Sequence, residues 1–184
     1  FTNEACNFGY RNSVFKNELK GKYIITSVTF KLTKHKHNFN ISYGAIKEGL
    51  QAIENPTLKD ISDTIIAIRE RKLPDPAKIG NSGSFFKNPV ITKNAFEVLQ
   101  QKYPNAPHYV VSENEIKVPA GWLIEQCGFK GKRFGDAGIH KHQALVLVNY
   151  GNATGEEIYS LAQKIQQKVM DTFAISLEIE VNVI

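Results

Sequence analysis

The end of the sequence constrains the fold most strongly, because a helical pattern is followed directly by a strand pattern. Thr154 and Glu157 have the spacing of a capping box, which marks the start of a helix. Apolar residues then recur at three- and four-residue intervals, at Ile158, Leu161, Ile165 and Val169. Residues 176–183 instead alternate, with Glu178 and Glu180 on the polar face. A chain with both periods packs helices on a sheet, which predicts an α+β fold.

The rest of the chain is also mixed. Residues 23–32 alternate as a half-buried strand would, and a helix is predicted after Thr57, with Asp60 at its third position and an end before Pro74. Further elements are predicted in this order: a short helix over 92–101, a hairpin of 109–111 with 116–118, a helix over 120–127 stopped by Gly128, a bend-rich loop through Gly131, Gly135 and Gly138, and a strand over 144–149.

Composition excludes several classes of protein. The 184 residues are 42% apolar, enough for one medium domain or two small ones. No apolar run approaches the roughly 20 residues of a membrane span, and no signal-peptide pattern is present, so we expect a cytoplasmic protein without a membrane partner. The net charge of +5 suits phosphate groups but does not by itself indicate nucleic acid, which we do not expect as a partner. Cys6 and Cys127 form no disulfide or zinc pattern.

The most distinctive segment is 80–89, Gly-Asn-Ser-Gly-Ser-Phe-Phe-Lys-Asn-Pro. Its glycines allow the backbone close to a flat or charged ligand, and Ser84 offers a hydroxyl proton there. The segment is neither a Walker A loop nor a G-x-G-x-x-G loop, and no G-x-S-x-G elbow surrounds Ser84. From these residues alone, a structural turn and a binding site are both open.

Other candidates also have two readings. Lys72 ends a helix before a Pro-containing turn, where it can face a phosphate or solvent. Glu180 shares a strand face with Glu178 and can be an ordinary surface carboxylate. The two His-Lys-His triplets, at 35–37 and 140–142, have same-face spacing but no further ligands, so no metal site is predicted. The aromatic residues Phe85, Phe86 and Trp122 are interpreted as core.

Several motifs taken together resemble the MurB family of UDP-N-acetylenolpyruvoylglucosamine reductases. They occur in the family's order over nearly the whole chain: Phe8-Gly9-Tyr10-Arg11, Ser42-Tyr43-Gly44, Lys72-Leu73-Pro74-Asp75-Pro76, Gly83-Ser84-Phe85-Phe86-Lys87-Asn88-Pro89, Ala120-Gly121-Trp122-Leu123-Ile124, Gln143-Ala144-Leu145-Val146 and Leu177-Glu178-Ile179-Glu180-Val181. The Tyr43 loop and the hairpin near Tyr109 resemble the type I subgroup. One departure is Ile179, where the family commonly has Pro.

The resemblance implies an activity and a set of site residues. Family members hold FAD, are reduced by NADPH, and convert UDP-N-acetylglucosamine enolpyruvate to UDP-N-acetylmuramate for peptidoglycan synthesis. By resemblance Ser84 is the proton donor, and Arg11 and Glu180 hold and polarise the substrate carboxylate. Gly83 and Tyr10 match cofactor-contacting positions. Substrate contacts are implied for Tyr43, Lys72, Asn88, Tyr109, Lys117 and Gln143, with Lys72 and Lys117 suited to the diphosphate and Tyr43 to a closing loop.

The resemblance also implies a domain division. Residues 1–71 correspond to the end of a FAD-binding, FAD-linked-oxidase-like domain, and 72–184 to a MurB-type C-terminal substrate-binding domain. Because the sequence starts without Met and lacks the family's N-terminal flavin-binding half, we expect a cut protein with catalytic groups but little activity alone, whose partner is that missing half. The alternatives are a non-catalytic UDP-sugar-binding module and another member of the FAD-linked oxidase superfamily.

Overall fold

The computed structural model describes residues 1–184, which form two compact units, Phe1–Ile41 and Ser42–Ile184. The first unit has little regular structure. It contains the short helix α1 (Asn3–Cys6), whose N-cap Thr2 accepts a hydrogen bond from Ala5 N at 3.2 Å, and a 3₁₀ turn at Val14–Lys16. The predicted domain division at residue 71 stays a prediction.

The strand predicted over 23–32 is wrong. These residues form no regular element, and Ile24 and Leu32 are 90% and 82% exposed. The only β-bridge within this unit joins Gly9 and Asn12. An alternating segment becomes a strand only when a neighbouring strand takes up its backbone hydrogen bonds, and this unit supplies none.

The second unit begins with two helices, α2 (Gly44–Gly49) and α3 (Leu58–Lys72). The predicted capping box is confirmed, because Thr57 N donates to Asp60 Oδ2 at 2.8 Å and Asp60 N donates to Thr57 Oγ1 at 3.3 Å. The helix also ends before Pro74, as predicted. No residue of α3 is buried, so its apolar face stays partly open.

Two antiparallel sheets follow. The four-stranded sheet has the order β1-β7-β6-β5, and the three-stranded sheet has the order β2-β4-β3. The strands are β1 (Gly80–Ser84), β2 (Val90–Thr92), β3 (Tyr109–Val110), β4 (Glu115–Lys117), β5 (Arg133–Phe134), β6 (Ala137–Ile139) and β7 (Val146–Asn149). The remaining helices are α4 (Lys93–Lys102), α5 (Ala120–Gln126) and α6 (Gly155–Phe173).

Two predicted segments differ from the structure. The bend-rich loop contains the hairpin of β5 and β6, with Gly135 at φ 62° in its turn, a conformation that glycine adopts without strain. The strand predicted over 176–183 is reduced to one bridge between Ile179 and Phe86. Its alternation still holds in part, since Leu177 is buried while Glu178 is exposed.

The core lies where α5 and α6 pack beside the four-stranded sheet. The predicted stripe of α6 is largely confirmed: Leu161, Ile165 and Val169 are buried, and Ile158 packs partly buried against the core. The sheet side includes Phe86, which is 1% exposed. None of the helices combines the length and apolar character needed to cross a bilayer.

Candidate active site

The first part of the site is a β-bulge in β1. Asn81 pairs with Val148 and Ser84 with Val146, so β1 takes three steps where β7 takes two. Within the bulge Gly83 has φ 72°, and its N–H donates to Asn81 Oδ1 at 3.1 Å. A Cβ added to Gly83 would meet nothing within 4 Å, so the space beside this backbone is open. A flat group has room to approach there.

Ser84 lies between this open space and the core. It is half-buried, whereas Phe85 and Phe86 after it are 5% and 1% exposed. The Phe85 N–H also donates to Leu145 O at 2.8 Å. The aromatic pair therefore anchors the strand, and Ser84 is the last residue before the chain enters the core.

Glu180 is held beside this segment by the backbone. Its N–H donates to Phe85 O at 2.9 Å, and Lys87 N donates to Glu178 O at 2.9 Å. Lys87 and Glu178 also form an ion pair through their side chains. The pairing uses no N–H of Ile179, so Ile at the family's Pro position keeps the same two hydrogen bonds. Unlike the exposed Glu178, Glu180 is half-buried.

The second part of the site is a cleft of about 280 Å³. Three of the six predicted substrate-contacting residues line it: Asn88, Tyr109 and Gln143. They come from the segment after β1, from β3 and from the segment before β7. These positions are far apart in sequence, and the fold brings them to one opening.

Local hydrogen bonds hold two of these side chains, Asn88 and Gln143. Asn88 Oδ1 accepts a hydrogen bond from Ala120 N at 2.9 Å, so this residue supplies the cap that Pro119 cannot give to α5. Leu145 N donates to Gln143 Oε1 at 3.3 Å. A Cβ on Gly121 would lie 3.3 Å from that same oxygen, so a larger residue at this position would crowd the Gln143 side chain.

Lys117 lies beside the cleft because it pairs with Tyr109 across β3 and β4. Its Nζ is 5.8 Å from the centre of the Tyr109 ring. This distance is within the range of a cation–π contact. The cation and the ring therefore form one surface at the mouth of the cleft.

The other predicted site residues are not part of these two groups. Tyr43 is the N-cap residue of α2 and is 59% exposed. Lys72 is the last residue of α3 and half-buried. Tyr10 and Arg11 belong to the first unit, in the turn closed by Gly9 and Asn12, and Arg11 has φ 54°. A positive φ is uncommon for a residue other than glycine.

Two basic residues that the sequence did not assign to a site, Lys130 and His142, also line the cleft. Lys130 Nζ is 2.8 Å from Glu125 Oε1. The ring of His142 lies 5.6 Å from that of His140, edge to face. Burial, followed by the charges of His142 and Lys141, lowers the pKa of His140, whose Nδ1 is buried without a hydrogen-bond partner. The adjacency of His142 to Gln143 was the signal available in the sequence.

Comparisons with known proteins identify relatives of this chain. Relatives named UDP-N-acetylenolpyruvoylglucosamine reductase include those of Flavobacterium johnsoniae, 62% identical over 100% of this chain, and Amoebophilus asiaticus, 52% identical over 100%. The chain covers 55% of the length of each, so it spans about half of the curated relatives it matches. A crystal structure of UDP-N-acetylenolpyruvylglucosamine reductase (MurB) from Thermus caldophilus aligns at a TM-score of 0.42 and 25% identity, over 68% of this chain and 34% of that one.

The family model described as the C-terminal domain of UDP-N-acetylenolpyruvoylglucosamine reductase matches residues 75–184. This match covers more than half of the 184 residues and contains both β1 and the cleft. The resemblance and the α+β class inferred from the sequence are confirmed. The chain therefore belongs to the UDP-N-acetylenolpyruvoylglucosamine reductase, or MurB, family, and carries its C-terminal domain.

Proposed function

We propose that this chain is the substrate-binding part of a reductase that converts UDP-N-acetylglucosamine enolpyruvate to UDP-N-acetylmuramate in peptidoglycan precursor synthesis. The observation that carries the proposal is the shared cleft of Asn88, Tyr109 and Gln143. These residues were assigned to substrate contact by family resemblance, and they line one opening in the unit that also holds Ser84 and Glu180. The names of the relatives support the same activity.

The reaction adds two hydrogens across the enolpyruvyl double bond. FAD, when bound, supplies a hydride to the terminal carbon and is replenished from NADPH. The neighbouring carbon, which bears the carboxylate, then takes a proton. Ser84 Oγ–H is the acid in this proposal, and the electron pair left on Oγ is neutralised by a proton from solvent. The half-buried position of Ser84 beside the open face of Gly83 suits a group that must reach a bound ligand.

Two further residues act on the substrate carboxylate in this proposal. The Arg11 guanidinium opposes the negative charge that develops there, and Glu180 orients the carboxylate by a hydrogen bond when it is protonated.

The residues of this chain fit contact with FAD at two positions. Gly83 has no side chain and an open space beside it, which suits the face of a flat ring. Tyr10 is 52% exposed and presents an aromatic ring for contact. In the proposal these two residues touch the cofactor, and the rest of its site belongs to the N-terminal half of the longer relatives.

The UDP-sugar occupies the cleft in this proposal. Lys117 at the cleft mouth and Lys72 at the end of α3 neutralise the diphosphate. Asn88, Tyr109 and Gln143 contact the sugar or base, and the exposed Tyr43 closes over the ligand. The net charge of +5 favours approach of this anionic substrate.

The partner in this proposal is the N-terminal half of the same reductase. Each unit leaves apolar residues exposed that suit contact with it, such as Ile24 in the first unit at 90% exposure and Ile65 of α3 in the second at 37%. We expect the 184 residues alone to oxidise NADPH far more slowly than the whole enzyme does. We also propose that the whole enzyme works in the cytoplasm of a bacterium. A full rate from the chain alone, with FAD and substrate added, contradicts this expectation.

The test uses a completed reductase, defined as this chain joined to the part of the Flavobacterium johnsoniae relative that it does not cover. We expect Ser84→Ala to slow reoxidation of the reduced flavin by substrate about 100-fold or more, the usual contribution of a general acid. Reduction of the flavin by NADPH should be unchanged. Stopped-flow absorbance measures both steps.

Ser82→Ala is the matched control, because Ser82 is an exposed serine of the same strand. It should keep both rates. If Ser84→Ala also keeps both rates, the proposed role of Ser84 is wrong. A non-catalytic UDP-sugar-binding module would use the same cleft, but the completed protein would then show no turnover to lose.

A further inference from the structure

We propose that Asn81 is a positioning residue for Ser84: its side-chain amide fixes the bulge of β1 and thereby sets where the Ser84 hydroxyl points. The inference rests on the proposed function, in which Ser84 is the proton donor. Family resemblance drew attention to Ser84 and Gly83, whereas the contacts of Asn81 come from the structure.

Asn81 uses both ends of its amide on the backbone around it. Its Oδ1 accepts the N–H of Gly83 at 3.1 Å, on the side toward Ser84. Its Nδ2 donates to Ile79 O at 2.9 Å, on the side away from Ser84, and is 3.5 Å from Pro74 O. Because the amide group is planar and rigid, it couples the backbone before the bulge to the backbone inside it.

The bulge needs such a group. The register shift between Asn81 and Ser84 takes Ser82 and Gly83 out of the ladder with β7. The Gly83 N–H receives an acceptor from the Asn81 side chain instead of from the neighbouring strand. A partly buried N–H without an acceptor would favour another backbone conformation, and Ser84 is the next residue along the chain.

Only asparagine supplies this combination at this length. Aspartate keeps the acceptor for Gly83 but has no N–H for the carbonyl of Ile79. Alanine removes both interactions. The two variants therefore separate the acceptor from the donor, and Asn81→Asp should retain more function than Asn81→Ala.

The contact near Pro74 extends this role toward Lys72. Pro74 lies in the turn that directly follows α3, whose last residue is Lys72. Asn81 thus touches the segment proposed to bind diphosphate and the segment proposed to donate the proton. A displacement on the order of 1 Å of a catalytic group can lower a rate about 100-fold, so this link is functionally important.

The experiment is a double-mutant cycle in the completed reductase. We expect Asn81→Ala to slow reoxidation of the reduced flavin by substrate about 100-fold, with flavin reduction by NADPH unchanged. In a Ser84→Ala background, Asn81→Ala should cause little further loss, because a residue that acts through Ser84 has nothing left to position. Asn94→Ala, an exposed asparagine on α4, is the control and should match the parent.

The outcomes separate this inference from the proposed function. If Ser84→Ala leaves reoxidation unchanged, both fail. Only the positioning role fails if Ser84→Ala stops reoxidation but Asn81→Ala has no effect or slows both half-reactions equally. It also fails if Asn81→Ala lowers the reoxidation rate by the same factor in the Ser84→Ala background as in the parent. Should Asn81→Ala not fold, Asn81→Asp enters the same cycle with a smaller expected loss, because it removes only the donor to Ile79 O. The Ser84→Ala background should abolish that loss; an unchanged rate, or an equal loss in both backgrounds, overturns the positioning role.

Discussion

The two compact units differ in how far they bury their apolar side chains. In Phe1–Ile41 the single buried apolar residue is Cys6, and the alternating segment around Ile24 and Phe30 is exposed. In Ser42–Ile184 one core buries Leu147 of β7 together with Leu161, Ile165 and Val169 of α6. The contrast teaches that a sequence pattern marks which face of an element is apolar, while burial requires a second surface within the same unit.

The largest expected effect comes from removing the same aromatic side chain in each unit. Phe86→Ala should lower the free energy of unfolding by about 3–5 kcal/mol, because Phe86 is 1% exposed. Phe30 is 74% exposed, and Phe30→Ala should change it by about 0.5 kcal/mol or less. Urea unfolding followed by the fluorescence of Trp122, the only tryptophan, measures the second unit. An equal loss for both variants would erase the contrast between the units.

A smaller effect is expected at the helix caps. Thr154 caps the 19-residue helix α6, so Thr154→Ala should cost about 1 kcal/mol of unfolding free energy. Thr2 caps the four-residue helix α1 in the first unit, and Thr2→Ala should leave the Trp122 transition in place. A shift of the urea midpoint by Thr154→Ala alone would support the difference between the two units. An equal shift by Thr2→Ala would contradict it.

The smallest expected effect is a pH dependence confined to the second unit. The lowered pKa of His140 means that the folded state resists protonation there. The neutral His140 ring contributes fully to the free energy of unfolding above pH 6.5, the ordinary pKa of histidine. This contribution is lost as pH falls through the lower pKa of the folded state. His140→Gln should therefore lose less stability than the parent between about pH 7.5 and 5. His35→Gln, at an exposed histidine of the first unit, should behave as the parent in thermal unfolding at both pH values.

Local signals in the sequence predicted the helices well. The capping boxes at Thr57 and Thr154 act within one turn, so a few neighbouring residues determine them. Strands were harder, because pairing depends on distant residues. The segments 23–32 and 176–183 have the same alternation, yet the first finds no partner and the second forms a single bridge, between Ile179 and Phe86.

The site residues also divide into those that the sequence predicted and those that only the structure shows. Family motifs identified Asn88, Tyr109 and Gln143, which the fold brings to one cleft. The places of Lys130 and His142 in the cleft, and the backbone contacts of Asn81, depend on which opening or backbone group each side chain reaches. No rule of spacing contains that information, because a bulge and a cleft exist only once β1 and β7 have paired.

The pairing of Phe85 with Glu180 has a consequence for the order in which the protein is made. Lys87 and Glu178, which flank this pairing, are 91 positions apart in the chain. Contacts of such separation close long loops, which costs entropy and slows folding. During synthesis on the ribosome, the Ser84 segment emerges well before the residues that hold it in place. The Ser84 segment, which contains the proposed proton donor, therefore gains its pairing with Glu180 only after translation has passed residue 180.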